Sequence, residues 1–191
     1  MRRDVVMTPP LKSSFLSCEK DAETIIKKLF VSSQPYSDQL KRLLVISTKD
    51  CLDNSNKKYE EIIKNTSVKD IMEGKYLTLT PKVKLKEHEE VKSYIILGFD
   101  NFLETSNPEF RDCTISFDIL CHTDYWDLGN YQIRPIKIMG IIDGILNNTK
   151  LSGIGELQFL SAQELILNDQ LAGYSLTFQA VHGGDDQIEG E

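Results

Sequence analysis

The stretch TISFDILC, residues 114–121, decides the fold class, since its apolar side chains recur at every second position. Ile115, Phe117 and Ile119 share one side and polar residues the other, which is the pattern of a β-strand with one buried face. The stretch RPIKIMGIIDGILN, residues 134–147, changes to helical spacing, with a proline near its start and asparagine at its exit. This second pattern predicts a buried helix that packs on the sheet.

The spacing of apolar residues elsewhere divides the chain into a helical N-terminal part and a C-terminal part rich in strands. Helical spacing before Gly74 predicts helices at residues 19–31, 38–46 and 59–63, the second with Ser37 as its cap. Alternation predicts further strands at residues 77–79, 83–85, 93–103, 157–159 and 174–180, the last two as an antiparallel hairpin. The predicted fold class is α+β, with an antiparallel or mixed β-sheet, a long helix packed on it and a mostly helical N-terminal region.

The 191 residues are expected to form one domain between two tails. Residues 1–18 contain two prolines and no sustained period, which predicts an N-terminal arm. Residues 19–183 are expected to be a single α+β domain. Residues 184–191 are acidic and rich in glycine, which predicts a flexible acidic tail.

Composition argues against several classes of function. The formal net charge of −7 and the pI near 5.1 disfavour nucleic acid as the main ligand, because a phosphate-binding face is normally basic. No stretch reaches the ~20 apolar residues of a membrane helix, and no signal-peptide core follows the basic N-terminus. The four cysteines are widely and irregularly spaced, which predicts reduced thiols in a cytosol. We therefore expect a soluble protein with no membrane partner.

No motif in the sequence points to catalysis or to a bound cofactor. The nucleophile pattern G-x-S-x-G is absent, and the three histidines lie in unrelated contexts. On one strand, Cys113 and Cys121 would lie about 26 Å apart, too far to bind one zinc ion. Residues 153–155, Gly-Ile-Gly, lack the third glycine of a dinucleotide loop and are more simply explained as the turn that leads out of the helix at residues 134–147. We expect no catalytic, cofactor-binding or metal-binding residue, and hence no enzyme.

Six residues are candidates for contacts with other proteins. Arg2 and Arg3 make the start of the arm basic. A strand through residues 82–86 would project three lysines from one face, as a docking strip for an acidic partner or as the charged guard of an edge strand. These lysines are Lys82, Lys84 and Lys86. Trp126, the single tryptophan, is either an anchor that faces a partner or a cap on the core.

Two glycines lie four residues apart within the predicted helix at residues 134–147. Gly140 and Gly144 each cost about 1 kcal/mol relative to alanine in a helix, so a close approach of a strand or another helix would explain them. That approach could be intramolecular or intermolecular, and intramolecular packing is the expectation.

Four C-terminal segments together form a distinctive pattern. They are residues 113–122, CTISFDILCH, residues 131–144, YQIRPIKIMGIIDG, residues 151–159, LSGIGELQF, and residues 174–182, YSLTFQAVH. In this pattern the chain resembles neck and tail-terminator-like proteins of tailed bacteriophages. The shared features are a strand, a long helix against the sheet, a closing hairpin and a helical N-terminal region. The arm and the helices before Gly74 go beyond a minimal member of that family.

The resemblance implies a small α+β subunit that forms a ring, often a hexamer, at the head-tail junction. Such a tail terminator contacts the tail tube or connector, so the implied partners are further copies of itself and other neck or tail proteins. DNA would at most pass through the lumen, and the protein would be located in the virion after assembly in the host cytoplasm. The alternatives are a portal-bound connector or adaptor protein, a cytosolic enzyme with an unfamiliar site and a non-structural binder that modulates the host.

Overall fold

The computed structural model of the chain describes residues 14–79, 92–104 and 110–183. Five α-helices lie in this part of the chain: α1 (Ser14–Phe30), α2 (Tyr36–Val45), α3 (Lys57–Asn65), α4 (Val68–Glu73) and α5 (Arg134–Leu146). Six strands accompany them: β1 (Leu77–Thr78), β2 (Ser93–Glu104), β3 (Phe110–His122), β4 (Thr149–Leu151), β5 (Gly155–Ile166) and β6 (Leu171–Gly183). This content confirms the predicted α+β class with a mostly helical N-terminal region.

The strands form one mixed sheet in the order β1-β2-β3-β6-β5-β4. β1 runs parallel to β2, and every other neighbouring pair is antiparallel. β3 lies between β2 and β6, and Ile115 of β3 is opposite Phe178 of β6. The predicted hairpin is confirmed, because β5 pairs antiparallel with β6 and Phe159 is opposite Phe178.

One face of the sheet carries the main core, as the alternation in β3 predicted. Ile115, Phe117 and Ile119 are all fully buried on that face, where α1, α2 and α5 pack. The rings of Phe117 and Phe178 meet edge to face, with 5.9 Å between their centroids. A smaller apolar cluster of strand side chains lies on the other face and consists of Tyr94, Ile96, Leu120, Leu165 and Leu171. Apolar side chains therefore pack on both faces of the sheet, and the helices cover the face with the main core.

Replacing Phe178 by alanine should destabilise the fold by about 3 to 5 kcal/mol. The ring is fully buried, and its removal leaves a cavity next to Phe117 that the strands cannot close without losing their register. Urea unfolding followed by circular dichroism would measure the change. A loss below about 1 kcal/mol would contradict this position for Phe178 in the core.

The helices differ from the prediction in length and in their first residues. α5 has 13 residues and α1 has 17, so the long helix expected on the sheet is in fact one of ordinary length. α1 begins at Ser14, before the predicted start at residue 19. Ser37 lies inside α2 and is buried, and its hydroxyl accepts a hydrogen bond from the backbone N–H of Ser33, so it is not the cap.

Two short elements, α4 and β4, were not predicted from the sequence. α4 has only six residues, too few for an apolar period, but Ser67 and Asp70 form a capping box at its start that the sequence does contain. β4 has three residues and pairs with the start of β5 across a turn in which Gly153 and Gly155 have positive φ. The turn expected at Gly153 and Gly155 therefore joins two strands instead of leaving the helix.

None of the helices in the described ranges is long and apolar enough to cross a membrane.

Candidate assembly surfaces

An apolar groove of about 580 Å³ lies between the start of α2 and the outer side of α5. Its apolar wall is formed by Tyr36, Tyr131, Ile133, Ile136, Ile141 and Ile145. Lys137 is the only charged residue among the described residues that line it. We call this surface the α5 groove. It combines exposed aromatic and branched aliphatic side chains, which are the residue types that proteins use to bind one another.

A tight turn before α5 presents Tyr131 to solvent at the edge of the groove. Gly129, Asn130 and Tyr131 all have positive φ, and the backbone N–H groups of Leu128 and Gln132 donate to Gln132 and Gly129. The tyrosine side chain is fully exposed, although the turn that carries it is closed by these bonds. An aromatic ring on an ordered turn loses little entropy on binding, so Tyr131 is suited to anchor a partner.

The two helix glycines open onto the same groove. A Cβ added at Gly140 or Gly144 would meet no described atom within 4 Å, and both positions are exposed. The expectation that they serve intramolecular packing is therefore wrong for the described part of the chain. The intermolecular alternative remains, and it gives a reason for two residues that weaken the helix.

The second exposed surface is the outer edge of β5. β4 pairs only with residues 155–157, and the amide of Phe159 donates to Oδ1 of Asn147, after which no described strand pairs with this edge. Leu160 is the extra residue of a β-bulge, and Ile166 is 67% exposed. We call residues 159–167 the β5 edge. A long apolar edge without a partner is uncommon, because it is a template for pairing with another chain.

Arg134 fixes the position of α5 relative to α2 and so shapes the groove. Its side chain is buried, and Nη1 donates to the carbonyl oxygens of Leu43 and Ile46 at 2.6 and 3.0 Å. Nη2 donates to the carbonyl of Thr48, and Nε donates to that of Tyr125 at 2.9 Å. Leu43 lies in the last turn of α2, where carbonyls lack helical partners and attract a cation. Sequence reasoning missed this role, for which the only signal is an arginine entering an apolar helix.

Of the six predicted contact residues, the structure describes only Trp126. Arg2, Arg3, Lys82, Lys84 and Lys86 lie outside the described residues. Trp126 is half-buried, packs against the main core and donates its indole N–H to the carbonyl of Cys121 at 3.1 Å. These contacts match the core-cap alternative, and a further role as a partner-facing anchor stays a prediction.

The buried cysteines are poorly suited to nucleophilic chemistry. Burial raises the pKa of the Cys113 thiol to about 12 and that of Cys121 to about 11. Burial also raises the pKa of Cys51, against the opposing charge of Arg134. These thiols are protonated at neutral pH, whereas the thiolate is the nucleophile and the metal ligand. Across the described ranges, no group of three or more His, Cys, Asp or Glu side chains is placed to hold a metal ion.

Comparison with solved structures found two low-identity similarities. A chain of the virion of a native gene transfer agent particle is 18% identical, with a TM-score of 0.41, and the match covers 65% of this chain and 91% of that one. A crystal structure from Akkermansia muciniphila is 12% identical, with a TM-score of 0.29, and the match covers 93% of this chain and all of that one. At TM-scores below 0.5 neither similarity bears on fold or function. The comparison with curated proteins found no match.

The family comparison covers most of the domain. The YomW family matches residues 37–180, about three quarters of the chain, from the first turn of α2 into β6. This family is phage-derived, which confirms the predicted relation to bacteriophage structural proteins and supports a location in the virion. On this match, the chain belongs to the YomW family.

Proposed function

We propose that the protein is a structural subunit of the phage virion that forms a ring at the head-tail junction, as a tail terminator that contacts the tail tube or connector. The observation that carries this proposal is the pair of exposed apolar surfaces, the α5 groove and the β5 edge, on a chain from a phage-derived family. A protein that acts by assembly needs such surfaces, while an enzyme needs reactive groups gathered in a pocket.

A ring built by rotation needs two different surfaces on each subunit. In such a head-to-tail contact, one patch of a subunit meets the other patch of its neighbour, and the ring closes when the rotation returns to its start. The groove lies on α5 and α2 in the helical layer, whereas the β5 edge belongs to the sheet. Their separate locations are what this kind of contact requires.

The charge of the protein suits a junction through which DNA passes without binding. At −7, the subunit is expected to repel the phosphate backbone, so a ring of such subunits would let DNA slide. DNA is therefore proposed as cargo of the lumen and not as a ligand.

The mass of the purified protein in solution tests the proposal directly. Light scattering at several concentrations should give a mass that climbs towards a multiple of the 21.8 kDa chain, near six copies, and electron micrographs should show rings. Closed rings with another number of copies would support the proposed function and correct the expected number of six subunits. A monomer at every concentration would contradict self-assembly and favour the portal-bound adaptor.

A further inference from the structure

The α5 groove and the β5 edge are complementary in their chemistry. The groove is apolar with one cation, Lys137, among its described lining. The β5 edge exposes Phe159, Leu160 and Ile166, and between them lies the exposed carboxylate of Glu164. An apolar surface with one positive charge can therefore meet an apolar surface with one negative charge, which sets the register as well as the attraction.

We infer that the α5 groove of one subunit receives the β5 edge of a second copy of this chain, with Lys137 facing Glu164 of that copy. This inference rests on the proposed function, since it names the contact that would build the ring. Each subunit then donates one edge and accepts another, and a closed ring leaves neither surface exposed.

The shape of the groove fits a strand as its occupant. Gly140 and Gly144 lie about one turn apart on α5, with open space where their side chains would be. A bare helix surface lets the backbone of a neighbouring strand come close, as glycine does wherever chains approach. The volume of about 580 Å³ is large enough to take large side chains from the β5 edge.

Among the residues that the structure describes, no ion pair competes for the two charges. Neither Lys137 nor Glu164 forms an ion pair with another described residue, whereas Lys49 and Asp127 pair at 2.8 Å and Lys27 pairs with Glu23. Glu164 and Ile166 lie two residues apart on β5 and therefore point to the same side of the strand. A groove that takes Ile166 would thus bring Glu164 towards its rim.

A charge exchange on the full chain tests this contact. Lys137→Glu and Glu164→Lys should each raise the apparent dissociation constant of self-association about tenfold, because like charges would then meet. The double variant, which restores opposite charges, should return to within about threefold of the unchanged protein. Lys64→Glu is the matched control, since it makes the same charge change at an exposed site on α3 and should leave association unchanged.

The outcomes separate this inference from the function on which it rests. If the protein forms rings but both single variants associate like Lys64→Glu, the ring uses another contact and the inference is overturned while the proposed function stands. Loss of association in both single variants without recovery in the double variant would also overturn the pairing. A monomeric starting protein would contradict both proposals at once. Circular dichroism of each variant checks that the fold is intact.

A second measurement does not depend on charge. Gly140→Cys in one preparation and Leu160→Cys in another should give disulfide-linked dimers on oxidation only when the two are mixed. Both variants are made in a Cys18→Ser background, because Cys18 is partly exposed, whereas Cys51, Cys113 and Cys121 are buried and should stay unlinked. A linked dimer within either preparation alone would indicate a symmetric contact between identical surfaces and would overturn the head-to-tail pairing.

Discussion

Arg134→Met should lower the free energy of unfolding by about 5 kcal/mol or more. Methionine fills a similar volume but removes the donors to four carbonyl oxygens, those of Leu43, Ile46, Thr48 and Tyr125. Hydrogen bonds to a charged group contribute about 1.5 to 3 kcal/mol each, and carbonyls left buried without a donor add their own cost. Methionine also removes a buried charge, which offsets part of this loss. The expected loss is therefore smaller than the combined free energy of four such hydrogen bonds.

Urea unfolding with Arg42→Met as the matched control would measure this effect. Arg42 is also buried, but among the described residues it donates only to the carbonyl oxygens of Asp53 at 3.0 Å and Cys51 at 3.5 Å, so its loss should cost about 2 kcal/mol. Arg134→Lys keeps the charge but lacks the planar guanidinium group. Its loss in the free energy of unfolding should lie between those of Arg134→Met and Arg42→Met. Equal effects of Arg134→Met and Arg42→Met would contradict the special role of Arg134.

Gly173→Ala should prevent stable folding, with a loss of more than about 5 kcal/mol. A Cβ at this position would overlap the carbonyl oxygen of Ile119, which belongs to the neighbouring strand. That oxygen is part of the backbone of β3 and cannot move aside without disturbing the pairing of β3 with β6 at the centre of the sheet. The methyl group therefore does not fit while β3 and β6 remain paired.

Gly144→Ala is the matched control for this substitution. Its Cβ would meet no described atom within 4 Å, and alanine should stabilise α5 by up to about 1 kcal/mol. Soluble yield and the urea midpoint of both variants would be compared with those of the unchanged protein. If Gly173→Ala unfolded at the same midpoint as the unchanged protein, the close approach of β3 and β6 at this position would be wrong.

Local patterns were enough to predict most elements of the fold. The alternation in residues 114–121 identified β3 and its buried face, and the spacing in residues 134–147 identified α5. Errors occurred where a local pattern is short or absent: α4 has six residues, and the start of α1 precedes its apolar period. A strand or helix of ordinary length buries a face that its own sequence displays, which is why these predictions succeeded.

The candidate assembly surfaces were hardly visible in the sequence. Nothing local distinguishes Ile136, which lines the groove, from Ile138, which is fully buried two residues later. The glycines of α5 were noticed, but the space around them was open to two explanations until the packing of α2 and α5 was known. The β5 edge was missed because Leu160 and Ile166 look like core residues of a strand.

The sequence by itself therefore determined the α+β class, most strands of the central sheet and the buried face of β3, since these follow from the spacing of neighbouring residues. Only the tertiary structure decided which apolar residues remain exposed and what Arg134 binds. Arg134 binds the carbonyl oxygens of Thr48 and Leu43, which lie 86 and 91 positions away in the sequence. The spacing of apolar residues relates only near neighbours, so it cannot predict contacts at such a separation. Exposure depends on which elements meet, and that depends on the packing of the whole chain.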